Sequence, residues 1–232
     1  MLLLAVDTSG KNGSIALAQA PERTADRSAK HNDVRLIETV PLAGGTFSAQ
    51  LVPQIAALLS SHGFTKHNIG AFAVAAGPGS FTGLRIGLAV VKALAEILSK
   101  PIAPVSLLEV CVFASGAQGK IMAALDAGRT DVYVGEYDVH SNRAQVLQEV
   151  ILSRPEFLSR AKGWTVATSD SALAAELLAT GVPVSILAPV SAADVARLGW
   201  LKIQAGETVQ PDRLEANYIR RTDAEMLEKI GS

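Results

Sequence analysis

The chain has 232 residues, 49% of them apolar, and a formal net charge of −1. That length permits one large domain or two small lobes, and a nearly neutral chain with scattered Lys and Arg lacks the basic field needed to bind nucleic acid unaided. A single cysteine, Cys111, excludes an intramolecular disulfide and suits a reducing, cytoplasmic compartment.

Residues 2–6 form an apolar run that reads as a strand. It lacks a basic leader and is interrupted by Asp7, so no signal peptide is expected. Asp7-Thr8-Ser9-Gly10 reads as a turn and residues 14–18 as a returning strand. The polar stretch 21–33 reads as a loop. Residues 47–63 read as a helix with Leu51, Ile55, Leu58 and Leu59 on one face and Gly63 as its cap. Pro53 either kinks its first turn or delays its start.

Residues 69–76 read as a buried strand and 84–98 as a long apolar helix, with Gly77-Pro78-Gly79-Ser80-Phe81-Thr82-Gly83-Leu84-Arg85 between them. Backbone N–H groups on such a strand-to-helix crossing can face an anion or another protein. The familiar motifs fit poorly. G-x-G-x-x-G needs its third glycine one residue earlier, a Walker loop needs Gly-Lys-Ser/Thr, and a nucleophile elbow needs G-x-S-x-G. The helix after the loop carries only Arg85, Lys92 and Glu96 as charges. Either it is enclosed within the sheet layers or one side meets a partner.

Residues 120–125, then Asp126-Ala127-Gly128-Arg129, then residues 132–137 repeat the opening strand, aspartate, turn and return. A duplicated α/β architecture is expected. Further helices are expected over 169–179 and 191–206, the latter capped by Ser191 with Asp194, and residues 211–221 should be extended.

The four histidines, His31, His62, His67 and His140, form no H-x-x-x-H or H-E-x-x-H array, so no metal site is expected. Asp7 and Asp126 are the best acidic candidates. Each is placed either to hold Mg²⁺ through water or merely to accept N–H bonds in its turn.

The blocks Asp7-Thr8-Ser9, Ser48-x-x-Leu51-Val52-Pro53, the run from Gly77 to Gly87, Ala124-Leu125-Asp126-Ala127 with Val132-Tyr133, and Tyr218-Ile219-Arg220 together resemble the TsaB (YeaZ) family. Phe47, where the family often has His, and Ala216, where it has Pro, depart from the pattern. The resemblance implies a two-lobed actin-like (ASKHA, ribonuclease H-like) α/β fold. Its lobes would be 1–104 and 105–232, with the terminal segment packing back on the first. It also implies a non-catalytic subunit that binds and activates TsaD in forming N6-threonylcarbamoyladenosine on tRNA. Pro104-Val105 aligns Leu107 and Cys111 with the two histidines of TsaD's metal motif, so the metal and the transfer chemistry should be absent.

Expected partner-binding residues are Leu51, Ile55, Leu58, Thr82, Arg85, Leu88, Val91 and Lys92. Asp7, Thr8, Ser9, Gly77 and Gly79 are the candidates for a vestigial nucleotide site. No tightly bound cofactor is expected, with ATP or ADP and Mg²⁺ confined to the assembled complex. The expected partners are TsaD in a heterodimer and the ATPase TsaE, with a homodimer when alone, tRNA met only indirectly and no membrane. Two competing readings are an actin-like ATP-dependent phosphotransferase, using Asp7 and the 77–83 loop, and a metallopeptidase, which the missing ligand pair disfavours.

Overall fold

The computed structural model describes residues 1–21, 34–140 and 143–219. Apart from Pro21, the loop expected over 21–33 therefore lies outside the described residues, as do His31, Arg220 and residue 221. The elements run β1 (Leu2–Asp7), β2 (Gly13–Gln19), β3 (Arg35–Leu42), α1 (Phe47–Ser61), β4 (Ile69–Gly77), α2 (Phe81–Leu98) and β5 (Ile102–Ser106). Then follow α3 (Leu107–Ser115), β6 (Gly119–Asp126), β7 (Asp131–His140), β8 (Arg143–Ser153), α4 (Arg154–Arg160), β9 (Thr165–Thr168), α5 (Ser171–Ala179), β10 (Val184–Ile186) and α6 (Ala192–Ala205).

Two five-stranded sheets result, ordered β3-β2-β1-β4-β5 and β8-β7-β6-β9-β10. In each, three antiparallel strands in chain order are extended by two parallel ones. The duplication read from the strand-Asp-turn pattern is thus a duplication of topology.

The chain divides into one unit of residues 1–106 with 191–217, and a second of 107–190 with 218 onward. The break falls two residues after the expected 104/105 boundary, and residues 191–217 belong to the first unit rather than the second. Strand alternation explains why. Leu4, Val6, Phe72 and Val74 point to α1 and α2, while the intervening Ala5, Ala73 and Ala103 leave the other face shallow. Helix α6 lies on that shallow face, and Gly199 sits so close to Ala73 that a Cβ there would collide with it. The 3.6-residue pattern of α6 announces a buried face but not which sheet it covers.

The second unit is layered the same way. Phe157, Leu173 and Leu177 of α4 and α5 pack on one face of its sheet, and Leu108, Cys111 and Val112 of α3 on the other.

Local chemistry accounts for the helix ends. Phe47 does start α1, with Pro53 inside it; Phe47 is buried against Gly13. The chain leaves α1 through Gly63 at φ +73°, with the N–H of Phe64 donating to Leu59 O at 2.9 Å. Ser191 and Asp194 form the expected capping box of α6. Helix α2 begins at Phe81, capped by Ser80, so half of the expected glycine loop is in fact its first turn.

Candidate functional site: a clasped turn and an apolar two-helix face

The Asp7–Ser9 turn at the end of β1 meets the start of α2. The Thr8 hydroxyl donates to Gly83 O at 2.7 Å, and the Ser80 N–H donates to Ser9 O at 2.6 Å. A Cβ at Gly79 would lie 2.6 Å from Ser9 O, and one at Gly83 would collide with Thr8 O. These glycines therefore allow one backbone to press on another. Asp7 is turned inward, its Oδ1 accepting from the N–H of Ser9 at 2.9 Å and from its hydroxyl at 2.6 Å. Burial pushes the Asp7 carboxyl above its usual range; the Ser9 bonds oppose that shift and Asp194 adds to it.

The structure thus brings together Asp7, Thr8, Ser9 and Gly79, with the polar groups of the turn engaged with one another and with the start of α2, whereas Gly77 faces Asn217 O, 2.8 Å from where a Cβ would stand. The Thr8 and Ser9 hydroxyls and the Ser80 N–H, the groups this turn would offer to a phosphate, are all engaged within the first unit. Asp126, the counterpart in the second unit, is half-exposed and stands 3.8 Å from Arg154.

The expected partner-binding set divides sharply. Leu51, Ile55, Leu58, Leu88 and Val91 are core residues of the first unit, the most exposed of them only 8% accessible. They cannot contact a partner while the unit is folded. Thr82 and Arg85 are exposed, and Arg85 lies 3.6 Å over the Phe81 ring. Lys92 is half-buried, its Nζ reaching Asp212 O at 3.4 Å.

The outer faces of α1 and α2 carry other residues. Ala49, Val52 and Ala56 are exposed on α1, as are Phe81, Ala89, Ala93 and Ile97 on α2, and the two helices pack side by side. Val52, Phe81 and Ile97 are 53%, 52% and 70% accessible. Among the described residues they are the only exposed large apolar side chains of this unit. The strongest apolar stripe of a helix is the stripe its own sheet covers, so the outward face was masked by a more hydrophobic inward one. The available signal was the phase of Arg85 and Glu96, which share the outward side with Ala89 and Ala93.

Leu107 and Cys111 are buried on α3. Among the described residues, no three His, Cys, Asp or Glu side chains converge as a metal site would require. No described helix is long and apolar enough to cross a membrane.

A family model described as TsaD: tRNA N6-adenosine threonylcarbamoyltransferase matches residues 41–196, which include the turns, glycines and helices above. The tRNA threonylcarbamoyladenosine biosynthesis protein TsaB of Escherichia coli K12 is 27% identical over 97% of this chain and 96% of its own length. The chain belongs to the TsaB (YeaZ) family. The Bacillus subtilis TsaB is 32% identical over 65% of this chain, a match spanning 60% of that protein. The solved YeaZ from Pseudomonas aeruginosa superposes with a TM-score of 0.70 at 24% identity, covering 94% of this chain and 99% of that one. The fold of this family member is accordingly the duplicated, actin-like α/β type, with a TsaD-like domain.

Proposed function

We propose that this chain is an accessory subunit in the formation of threonylcarbamoyladenosine on tRNA, docking on a TsaD-type catalytic paralogue through the outer faces of α1 and α2 and transferring no group itself. The observation that carries this reading is the apolar face of Val52, Phe81, Ala89, Ala93 and Ile97 on the first unit. A patch of that kind, rimmed by Arg85 and Glu96, is suited to burial against two helices of another subunit. The E. coli relative, matched over nearly its whole length, is named for this biosynthesis. Leu107 and Cys111, where the paralogue's metal ligands would stand, further support a non-catalytic role.

In this reading ATP or ADP, Mg²⁺, the ATPase TsaE and the tRNA belong to the assembled complex. Without its partner, the chain pairs with a second copy through the same face. The engaged hydroxyls of the Asp7 turn weigh against a phosphotransferase.

The test is to mix the chain with the TsaD homologue of the same organism and measure molar mass by light scattering during gel filtration. A mixed species is expected. Ala89→Arg should weaken it by at least about tenfold, as charge insertion at an interface centre does, without unfolding the protein. Leu88→Glu is unsuitable for this purpose because it buries a charge in the core. Two separate peaks for the native pair would overturn the proposal.

A further inference from the structure

We infer that Thr8 is the positioning residue of the docking face: its hydroxyl, held by Gly83 O, sets where the first turn of α2 stands. The inference rests on the docking reading above and names what places that surface.

Most of α2 is anchored by side chains, since Leu84, Leu88, Val91 and Ala95 lie in the core. Its first turn has only one such anchor. Phe81 and Thr82 face outward and Gly83 has no side chain, which leaves Leu84 as the single apolar anchor. The remaining hold on the turn is polar and comes from the end of β1: Thr8 Oγ1 to Gly83 O, 75 residues apart in sequence, and Ser80 N–H to Ser9 O. Thr8 is 2% accessible. Gly79, Gly83 and Gly87, four residues apart, each present a bare backbone to Thr8 or Ser9, and a Cβ at any of them would collide there. Strand β1 is hydrogen-bonded on both sides, by β2 and β4. The clasp therefore ties the first turn of a helix to a strand held on both sides.

Phe81 and Arg85, stacked on each other at this end of α2, ride on that turn. Loss of the Thr8 hydroxyl leaves the core of α2 in place but frees its first turn, so association should suffer more than stability. The same hydroxyl would be a phosphate donor in a nucleotide cradle, which makes the two roles experimentally separable.

The experiment compares Thr8→Val, which keeps the shape and removes the hydroxyl, with Thr8→Ser, which keeps the hydroxyl. Titration calorimetry with the TsaD homologue should give a Kd raised about tenfold for Thr8→Val, the consequence of one lost buried hydrogen bond, and a Kd near the native value for Thr8→Ser. Hydrogen exchange on the chain alone should be faster at Leu84 and Arg85 in Thr8→Val, with the α2 amides beyond Leu88 unchanged.

Native-like affinity and exchange in Thr8→Val would overturn the clasp while leaving docking intact. Absence of binding by the native chain would overturn the docking reading and this role with it. ATP binding by the native chain that Thr8→Val abolishes, with partner affinity untouched, would return the turn to a nucleotide.

Discussion

The β1–β2 turn and the β6–β7 turn occupy the same place in two sheets of the same order, yet they are built in opposite ways. Asp7, Thr8 and Ser9 are all under 8% accessible, and their hydroxyls and carbonyls are engaged with one another and with the start of α2. Asp126 is half-exposed and its turn continues through Gly128 at φ +79° with open space around it. The helices differ in parallel. Those behind the first turn, α1 and α2, have 15 and 18 residues; their counterparts α4 and α5 have 7 and 9. An 18-residue helix extends about 27 Å, long enough to present an outer face after covering its sheet. Two frames of like topology thus differ in how the turn is held: the first is buried against α2 by the Thr8 and Ser9 bonds, and the half-exposed second meets the start of α4 through the Arg154 N–H, which donates to Thr130 O at 2.8 Å.

The largest effect should come from substituting glycine where the first turn presses on α2. Gly83→Ala should cost the first unit about 3 kcal/mol, because the colliding atom is a backbone oxygen. Gly128→Ala in the second turn meets nothing and should cost about 1 kcal/mol for its left-handed backbone. The two tryptophans, Trp164 in the second unit and Trp200 in the first, let single-tryptophan variants report each loss separately in urea. Equal losses would break the comparison.

Next in size is the Asp7 carboxyl. Its folded-state pKa lies above the ordinary 3.8 through burial, so between those values the folded state holds the extra proton. Its stabilising contribution is complete below 3.8 and fades as pH rises through the folded-state value. Asp7→Asn should remove that part of the slope, leaving the variant relatively more stable toward neutral pH than at pH 4 when compared with the native chain. A difference between the two proteins that does not vary with pH, read from Trp200 unfolding, would contradict the buried-acid assignment.

Smallest is Asp126→Ala. A half-exposed carboxylate 3.8 Å from an arginine that also binds Glu176 should contribute no more than about 0.5 kcal/mol. A cost above 2 kcal/mol at Trp164 would mean that the second turn is clasped too.

Much of the frame is visible in the chain. The apolar run ending in Asp7, its echo ending in Asp126, and the Ser191–Asp194 cap are local patterns, and local patterns are readable because the backbone period and the first-turn hydrogen bonds are set by nearby residues. Strand β8 was not read because Leu147 is an extra residue between the pairs Tyr137–Val146 and Glu136–Gln148, which breaks the alternation. Helix α3 was not read because a nearly continuous apolar stretch has no phase to identify. For the site, Thr82 and Arg85 were found on the surface, while Leu51, Ile55, Leu58, Leu88 and Val91 were placed there and are core.

By itself, then, the sequence determined the family, the duplicated α/β plan, the absence of a histidine pair at positions 107 and 111, and the pairing of an acidic turn with a glycine-rich strand-to-helix crossing. Tertiary structure alone decided which side of α1 and α2 meets water, that α6 completes the first unit, and that the glycines receive Thr8 and Ser9. The physical reason is common to all three. Hydrophobicity and glycine content specify that a surface is to be covered or closely approached, but the covering atoms come from residues as many as 178 positions away, and no local pattern encodes their identity.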